Sequence, residues 1–503
     1  MAQTNAGTPT DDTLTVEEFT NHPEVQKCLA RLHEKYNEVS PLAVSDVLDD
    51  EGNQYVNLVQ KGGGVLGVAL VGYTYILEAM GIRFLRLAGT SAGAINTALM
   101  TVVRTKKDPK SDEILKAICD LKFFNLVDGH PAAKWVIQRF ITHKDFTIKA
   151  KKWLTWSLLA FAILIFLDIV MLGLEKQIKI FTVVTRLSFV LTGFYLLLLA
   201  CGVSYVGMLF KRLKNSGYGI NPGDFFYDWI KRQLKVNGVN TVTEMRTKAS
   251  TLPPLHLRVP HPSGMEGIKG DVTFITSELV TQNKIQFPEM CYLFRKAGDI
   301  DSLQPAGFIR ASMSIPVFFE SYMINNIPCE DPGIIKLWEE QLGQKEPPSS
   351  ARFVDGGILS NFPINLFYNP NIITPRMPSF GIDLDDSKPE DTSMHASGWS
   401  LSGYFGRMFN TIRYYYDKDF LLKNKVYEKG IGKINVSEYN WLNFFLTKKD
   451  KLDMLIKGAQ SATEFLMGFN WQEYKSARAD LQEQINDGKL VATTVTPQQN
   501  VNA

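Results

Sequence analysis

The residues best suited to covalent chemistry form the pentapeptide Gly89-Thr90-Ser91-Ala92-Gly93. It follows an apolar run, residues 82–88, and precedes a run of small residues that suits a helix, residues 94–100. A serine between glycines on a sharp strand-to-helix turn holds its hydroxyl clear of the backbone, where a substrate carbonyl can be reached. The pattern therefore predicts a nucleophile elbow, with Ser91 as the nucleophile of an acyl transfer.

A glycine-rich stretch upstream could stabilise the charge that such an attack creates. Strand-like residues 55–59 lead into Gly62-Gly63-Gly64-Val65-Leu66-Gly67, at the start of a predicted helix over 65–80. Bare backbone lets several N–H donors point at one spot, as an oxyanion hole requires. We expect these donors among the loop glycines Gly62, Gly63, Gly64 and Gly67.

The same six residues also match G-x-G-x-x-G, the phosphate-binding turn of dinucleotide-binding folds. That turn requires an acidic residue at the end of the next strand, where it binds the ribose. Here the next strand ends in Leu87-Ala88 and continues into the serine turn. A nucleotide site is therefore disfavoured.

A third motif, Asp355-Gly356-Gly357, follows the strand-like residues Phe353-Val354 and offers a base. A Ser-Asp-His triad in the α/β-hydrolase order would need a histidine after this aspartate, and His395 is the only one in the sequence. His395 lies in the polar stretch 389–400, with no strand before it. We therefore favour a Ser91–Asp355 dyad, in which the carboxylate takes the serine proton directly.

With these three motifs in this order, the chain resembles the patatin-like phospholipases. Two further blocks, Ile309–Pro316 and Val354–Pro363, extend the resemblance, which spans about residues 54–383. It implies an α/β fold, a three-layer α/β/α sandwich with a central, mostly parallel sheet. It also implies hydrolysis of lipid acyl esters, with no metal and no cofactor.

Carried over residue by residue, the resemblance makes Ser91 the nucleophile and Asp355 the general base. The backbone amides around Gly63 and Gly64 would bind the oxyanion. The remaining motif glycines are Gly89, Gly93, Gly356 and Gly357. One position departs from the family, because Leu66 stands where its members usually carry arginine or lysine.

Composition describes a large folded protein with little electrostatic bias. The 503 residues are 45% hydrophobic, enough for a sizeable core, and the formal net charge of +2 gives no footprint for nucleic-acid binding. The five cysteines are odd in number and show no C-x-x-C spacing, which favours a reducing compartment.

Two apolar runs, Trp153–Leu174 and Leu187–Phe210, are each long enough to cross a bilayer and predict a transmembrane hairpin. Lysines and arginines flank both outer ends, which predicts a cytoplasmic catalytic domain. Two buried helices of an enlarged core are the alternative. Asp168 and Arg186 could pair between the helices, or each could reach water separately.

We divide the chain into four parts. Residues 1–50 form an N-terminal tail and helix, where Thr15 and Glu18 fit a capping box for a helix over 16–38. Residues 51–383 form the catalytic domain, interrupted by the hairpin at 153–210. Residues 384–490 form a C-terminal helical extension, and 491–503 a disordered tail.

Together these observations predict a membrane-anchored serine acyl hydrolase that cleaves lipid esters through an acyl-enzyme. Its expected partners are the bilayer and a membrane lipid substrate, without nucleic acid. A catalytically silent lipid-binding protein and a membrane scaffold are the alternatives. The lipid head group, the acyl position and any activating ligand stay open.

Overall fold

The computed structural model describes residues 14–131, 134, 146–175, 181–215, 217–369, 372–386, 408, 411, 415 and 417–486. Residues 1–13 of the predicted N-terminal part, the predicted tail at 491–503 and His395 lie outside these residues. The described part divides into two compact units. The first contains residues up to 127, 223–316 and 321 onward, and the second contains 128–222 with 317–320.

The strands are β1 (Val47–Leu48), β2 (Gln54–Gln60), β3 (Ile82–Thr90), β4 (Gly219–Asn221), β5 (His256–Leu257), β6 (Asp271–Glu278), β7 (Asn283–Phe287), β8 (Val317–Phe319), β9 (Tyr322–Asn325), β10 (Ser350–Asp355), β11 (Ser379–Asp385) and β12 (Ile431–Asn435). The helices are α1 (Val16–Thr20), α2 (Pro23–Lys35), α3 (Val68–Ala79), α4 (Ala92–Val102), α5 (Ser111–Cys119), α6 (Phe146–Glu175), α7 (Phe181–Asn215), α8 (Asp224–Val236), α9 (Val242–Ser250), α10 (Pro305–Ser312), α11 (Pro332–Leu342), α12 (Lys448–Gly468) and α13 (Trp471–Asn486).

The first unit is built on one mixed sheet. Neighbouring strands in the order β12-β11-β2-β3-β6 run parallel, whereas β7 and β10 pair antiparallel with β6. The expected mostly parallel central sheet of an α/β fold is therefore confirmed. The sequence had given no sign that the strand carrying Asp355 runs against the others.

Both faces of this sheet are covered, because all seven residues of β2 are buried. On one face, Val59 packs against a cluster that includes Phe362, Tyr427 and Leu481. On the other face, the next residue, Gln60, hydrogen-bonds to Asn96 and Thr97 of α4. Successive side chains of a strand point to opposite faces, so the sheet lies between two layers.

The predicted C-terminal extension from residue 384 is not a separate part of the structure. Strand β12 pairs with β11 in the central sheet, and α12 packs on α3. The two helices approach so closely that a Cβ on Gly72 would lie 2.0 Å from the Leu455 oxygen, and one on Gly458 would lie 2.0 Å from the Ala69 oxygen. Contacts between such small residues carry no local sequence signal.

The predicted N-terminal helix is two helices. Thr15 and Glu18 form the expected capping box of α1, but the helix ends at Thr20 and α2 begins at Pro23. A proline disfavours helical backbone at the residue before it, and His22 is extended and caps α2 through its ring. The single helix predicted over 16–38 is therefore wrong.

The second unit contains the two apolar helices α6 and α7. Each is long and apolar enough to cross a membrane, over Thr155–Leu174 and Thr182–Lys214, and only 6% of each apolar window is buried. Such exposure is not that of a core helix. Between the helices, Asp168 accepts a hydrogen bond from Ser188, while the Arg186 side chain is exposed and forms no pair with Asp168.

Candidate active site

Ser91 has the backbone geometry of a nucleophile elbow. Its φ of 52° and ψ of −120° are rare for a residue with a side chain, and the residue is 3% exposed. Close packing makes glycine necessary on both sides: a Cβ on Gly93 would lie 2.2 Å from the Gln60 oxygen, and one on Gly89 would lie 2.3 Å from the Gly93 oxygen. The Ser91 N–H donates to Ser312 Oγ at 3.0 Å.

The strand register brings Asp355 to Ser91. Strand β3 pairs with β6 up to Thr90 opposite Ile275, and β10 pairs with β6 up to Asp355 opposite the next residue, Thr276. Strand β7 pairs with both of those β6 residues and so occupies the other edge. Strands β3 and β10 therefore meet end to end along one edge of β6. The β6 residues that pair with Thr90 and Asp355 are consecutive, a separation of about 3.3 Å along the strand.

The Asp355 carboxylate is held at this junction. Asp355 is 7% exposed, and its Oδ1 accepts the Gly357 N–H at 2.7 Å. Its own N–H donates to the Ser314 oxygen at 2.8 Å. A Cβ on Gly356 would lie 2.2 Å from the Ile275 oxygen, so the motif glycine lets the chain pass close over β6.

The glycine loop presents two N–H groups that make no hydrogen bond within the described residues, those of Gly63 and Gly64. Gly62 instead donates its N–H to the Asn361 oxygen at 3.0 Å. Gly67 packs on the elbow helix, since a Cβ there would lie 2.6 Å from Ala92 Cβ. The geometry thus narrows the expected oxyanion donors from four glycines to the middle two.

Leu66, which stands where the resembled family carries a cation, is fully buried. The nearest cation along the loop is Lys61, whose Nζ lies 2.6 Å from Asp383 Oδ1 and 2.9 Å from the Leu384 oxygen. Lys61 therefore joins the start of the loop to β11. The loop is fixed by backbone contacts and this ion pair rather than by a charge at position 66.

Ser91 lines an apolar cleft that is open to solvent. Ser91 and Asn96 are the polar side chains among its lining residues. The remainder are glycines and apolar residues: Gly64, Val65, Gly67, Val68, Val71, Ala92, Ile95, Ile118, Leu121, Phe123, Leu126, Phe226, Met313, Ile315 and Phe444. A cleft of this lining suits a hydrocarbon chain with its reactive end at Ser91.

Comparison with known proteins agrees with this geometry. Residues 58–189, which include the glycine loop and the serine elbow, match the family model described as patatin-like phospholipase. This segment of the chain matches a patatin-like phospholipase domain. It is also 25% identical to the uncharacterized protein YqhO of Bacillus subtilis (strain 168) over 412 residues, 82% of this chain and 98% of that protein.

Two solved structures show weaker similarity. VipD from Legionella pneumophila aligns with a TM-score of 0.36 and 13% identity, over 91% of this chain and 83% of its own. ExoU, from the ExoU–SpcU complex of the Pseudomonas aeruginosa type III secretion system, aligns with a TM-score of 0.30 and 12% identity. That alignment covers 86% of this chain and 59% of the solved one.

We next consider whether a histidine or a metal ion could take part in the site. The described histidines, His22, His33, His130, His256 and His261, do not line the cleft. No group of three His, Cys, Asp or Glu residues among the described residues could hold a metal ion.

A buried aspartate that the sequence analysis did not single out fixes the chain after the Asp355 motif. Asp417 accepts hydrogen bonds from Ser360 Oγ at 2.8 Å and from the Phe362 N–H at 2.7 Å. The Ser360 oxygen accepts from Thr90 Oγ1, and the Asn361 oxygen accepts from Gly62. Asp417 therefore supports both the elbow and the glycine loop. It lies far along the chain from any motif, and no local pattern marks it.

Burial raises the pKa of the Asp417 carboxyl to about 6, although its hydrogen bonds and the nearby Lys284 ammonium act in the opposite direction. A group whose pKa is raised by folding binds protons more readily in the native protein. Its contribution to the free energy of unfolding therefore falls as the pH rises between about 4 and 6.

We compare the unfolding free energy of Asp417→Asn with that of the wild type. The difference, variant minus wild type, should rise by about 3 kcal/mol between pH 4 and pH 7, because asparagine does not ionise and the variant does not lose this stability. Urea unfolding in detergent at several pH values measures this difference. Asp419→Asn on the same segment is the control, since Asp419 is partly exposed and pairs with Lys423. A difference that stays constant with pH would contradict the raised pKa.

For Gly64→Ala, we expect kcat for a short-chain ester to fall by about 10²-fold, because a misplaced loop loses an oxyanion donor. Gly64 has a φ of +56°, and a Cβ there would lie 2.3 Å from the Trp441 oxygen. Gly52→Ala is the matched control: Gly52 has a φ of +81°, but a Cβ there meets nothing within 4 Å. If kcat fell equally in the two variants, Gly64 would not be an oxyanion donor.

Proposed function

We propose that this chain is a membrane-anchored serine acyl hydrolase that cleaves lipid esters through a Ser91–Asp355 dyad. Asp355 takes the Ser91 hydroxyl proton as the oxygen attacks the ester carbonyl, and the Gly63 and Gly64 N–H groups stabilise the resulting oxyanion. The proton then passes to the departing alcohol, which leaves an acyl-enzyme. Water, deprotonated by Asp355, attacks this ester, releases the fatty acid and returns the proton to Ser91.

The meeting of β3 and β10 at one edge of β6 carries this proposal. It joins two motifs that lie far apart in the sequence, at consecutive pairing positions of one strand. The end of β3, which leads into the strained Ser91 elbow, and the buried Asp355 therefore lie next to each other along β6. The patatin-like phospholipase domain agrees with lipid hydrolysis as the general activity.

Lipid is the substrate class because the cleft offers so little to a polar molecule. Beside the nucleophile itself, Asn96 is the polar side chain of its lining, and the Asn96 Nδ2 donates to Gln60 Oε1 at 2.6 Å. Burying an acyl chain against this lining gains about 0.8 kcal/mol for each methylene group. The head group is left to the cleft mouth and stays undefined in the proposal.

The membrane part of the proposal rests on α6 and α7. Their apolar side chains are exposed along the helices, and hydrogen bonds between Asp168 and Ser188 and between Tyr195 and the Ser157 oxygen join them as a pair. Lysine and arginine are enriched beyond both outer ends, which favours a cytoplasmic catalytic domain. Anchoring would keep the enzyme beside its lipid substrate.

A catalytically silent lipid-binding protein is the second candidate, because an apolar cleft alone would serve it equally well. The presence of both Ser91, in a strained elbow conformation, and a buried Asp355 argues against it. A membrane scaffold that depends on the hairpin alone would not need either residue.

Ser91→Ala and Asp355→Asn should each lower hydrolysis of a short-chain nitrophenyl ester by roughly 10³-fold or more. The double variant should be little worse than either single one, because nucleophile and base act as a unit. Exposed Ser263→Ala is the control and should keep wild-type activity. Full activity of Asp355→Asn would exclude the dyad and direct attention to His395.

Replacing residues 153–210 with a short Gly/Ser linker should release the protein from membranes, because both apolar helices are removed. Turnover of a water-soluble ester should persist, while hydrolysis of bilayer lipid should fall through the loss of local concentration. Carbonate extraction and the two activity assays measure these effects. Retention in the membrane pellet, or loss of both activities in a folded protein, would contradict the anchoring role.

A further inference from the structure

Residues 436–447, which we call the strap, connect β12 to α12 and lie against the glycine loop. Both ends of the strap are fixed. The Val436 N–H donates to the Asp385 oxygen at 2.9 Å, and Thr447 forms a capping box with Asp450 at the start of α12. In the middle, the Tyr439 hydroxyl donates to Asp453 of α12.

One contact of the strap is made to the loop that carries the oxyanion donors. The Trp441 oxygen accepts the Val65 N–H at 3.0 Å. The same carbonyl and the Trp441 ring fill the space at Gly64, where a Cβ would lie 2.3 Å from the oxygen and 3.2 Å from ring carbon Cε3. The peptide that follows Gly64 is thereby held in one orientation.

A second contact of the strap is made to the acyl cleft. Phe444 is 3% exposed and lines the cleft together with Ser91. Its neighbour Phe445 points elsewhere and packs on the Phe124 ring, with 5.2 Å between centroids. Adjacent residues of the strap thus face different surroundings, and only Phe444 is among the residues that line the cleft.

We infer that the strap is part of the substrate site: the Trp441 carbonyl and ring together position the oxyanion loop, and Phe444 sets the length of acyl chain that the cleft accepts. This inference rests on the proposed acyl hydrolysis and specifies which acyl-chain lengths the site would accept. Residues 436–447 lie outside the matched family region, 58–189, so the serine elbow and glycine loop depend on a distant part of the chain for the shape of their substrate site.

The test compares Phe444→Ala with the matched control Phe445→Ala on short-, medium- and long-chain nitrophenyl esters. Phe444→Ala should change the ratio of kcat/KM for long over short chains by about tenfold or more, in favour of long chains. Phe445→Ala should leave the ratio unchanged. Phe444→Leu, which keeps an apolar side chain, provides a milder variant that should shift the ratio in the same direction by less.

Trp441→Ala tests the positioning role separately. Loss of the ring loosens Gly64, so kcat should fall while KM for the short ester stays near its wild-type value, and the chain-length ratio should not change. The loss should be smaller than the roughly 10²-fold cost of removing an oxyanion donor. An increase in KM alone would assign Trp441 to substrate binding and overturn the positioning role.

Fatty-acid binding separates this inference from the proposed function. A fluorescent long-chain fatty acid is titrated into Ser91→Ala protein with and without Phe444→Ala or Phe445→Ala. If wild type hydrolyses no ester in a Ser91-dependent manner, the proposed function fails, yet a change in affinity confined to Phe444→Ala still supports the strap. If the two phenylalanine substitutions changed fatty-acid affinity equally in folded proteins, or if neither changed it, the role of Phe444 would be overturned.

Discussion

The backbone of Ser91 is the constraint on which the rest of the site depends. A non-glycine residue at a φ of 52° and a ψ of −120° costs about 1–3 kcal/mol and persists only when its surroundings impose it. Here α4 lies so close to β2 that Gly93 has no room for a side chain, and Ser312 binds the Ser91 N–H. The sheet and the helices thus hold the serine in a conformation that the isolated turn would leave.

The mixed sheet explains how Asp355 comes to lie near the serine elbow. In an all-parallel sheet every strand leaves at the same edge, and neighbouring strands keep the loop residues about 4.8 Å apart or more. Because β10 runs against β6, it can end where β3 ends and on the same side of β6. Asp355 and Thr90 consequently take consecutive pairing positions of β6, closer together than two neighbouring strands.

The sequence was informative wherever local pattern determines structure. The apolar runs 55–59 and 82–88 predicted β2 and β3, and the two long apolar runs predicted α6 and α7. The direction of β10, the place of β12 in the sheet, and the roles of Asp417 and Trp441 depend on contacts between distant segments. Such contacts produce no periodic pattern in the sequence from which they could be predicted. The break before Pro23 was readable, since a proline marks it.

The order of these parts along the chain bears on biosynthesis. Ser91 and both apolar helices leave the ribosome well before Asp355, and the strap follows later still, after β12. Until β10 and the strap are made, the proposed nucleophile lacks its proposed base, and the glycine loop lacks its contact with Trp441. Under the proposed mechanism, catalytic competence therefore begins only after both apolar helices have left the ribosome.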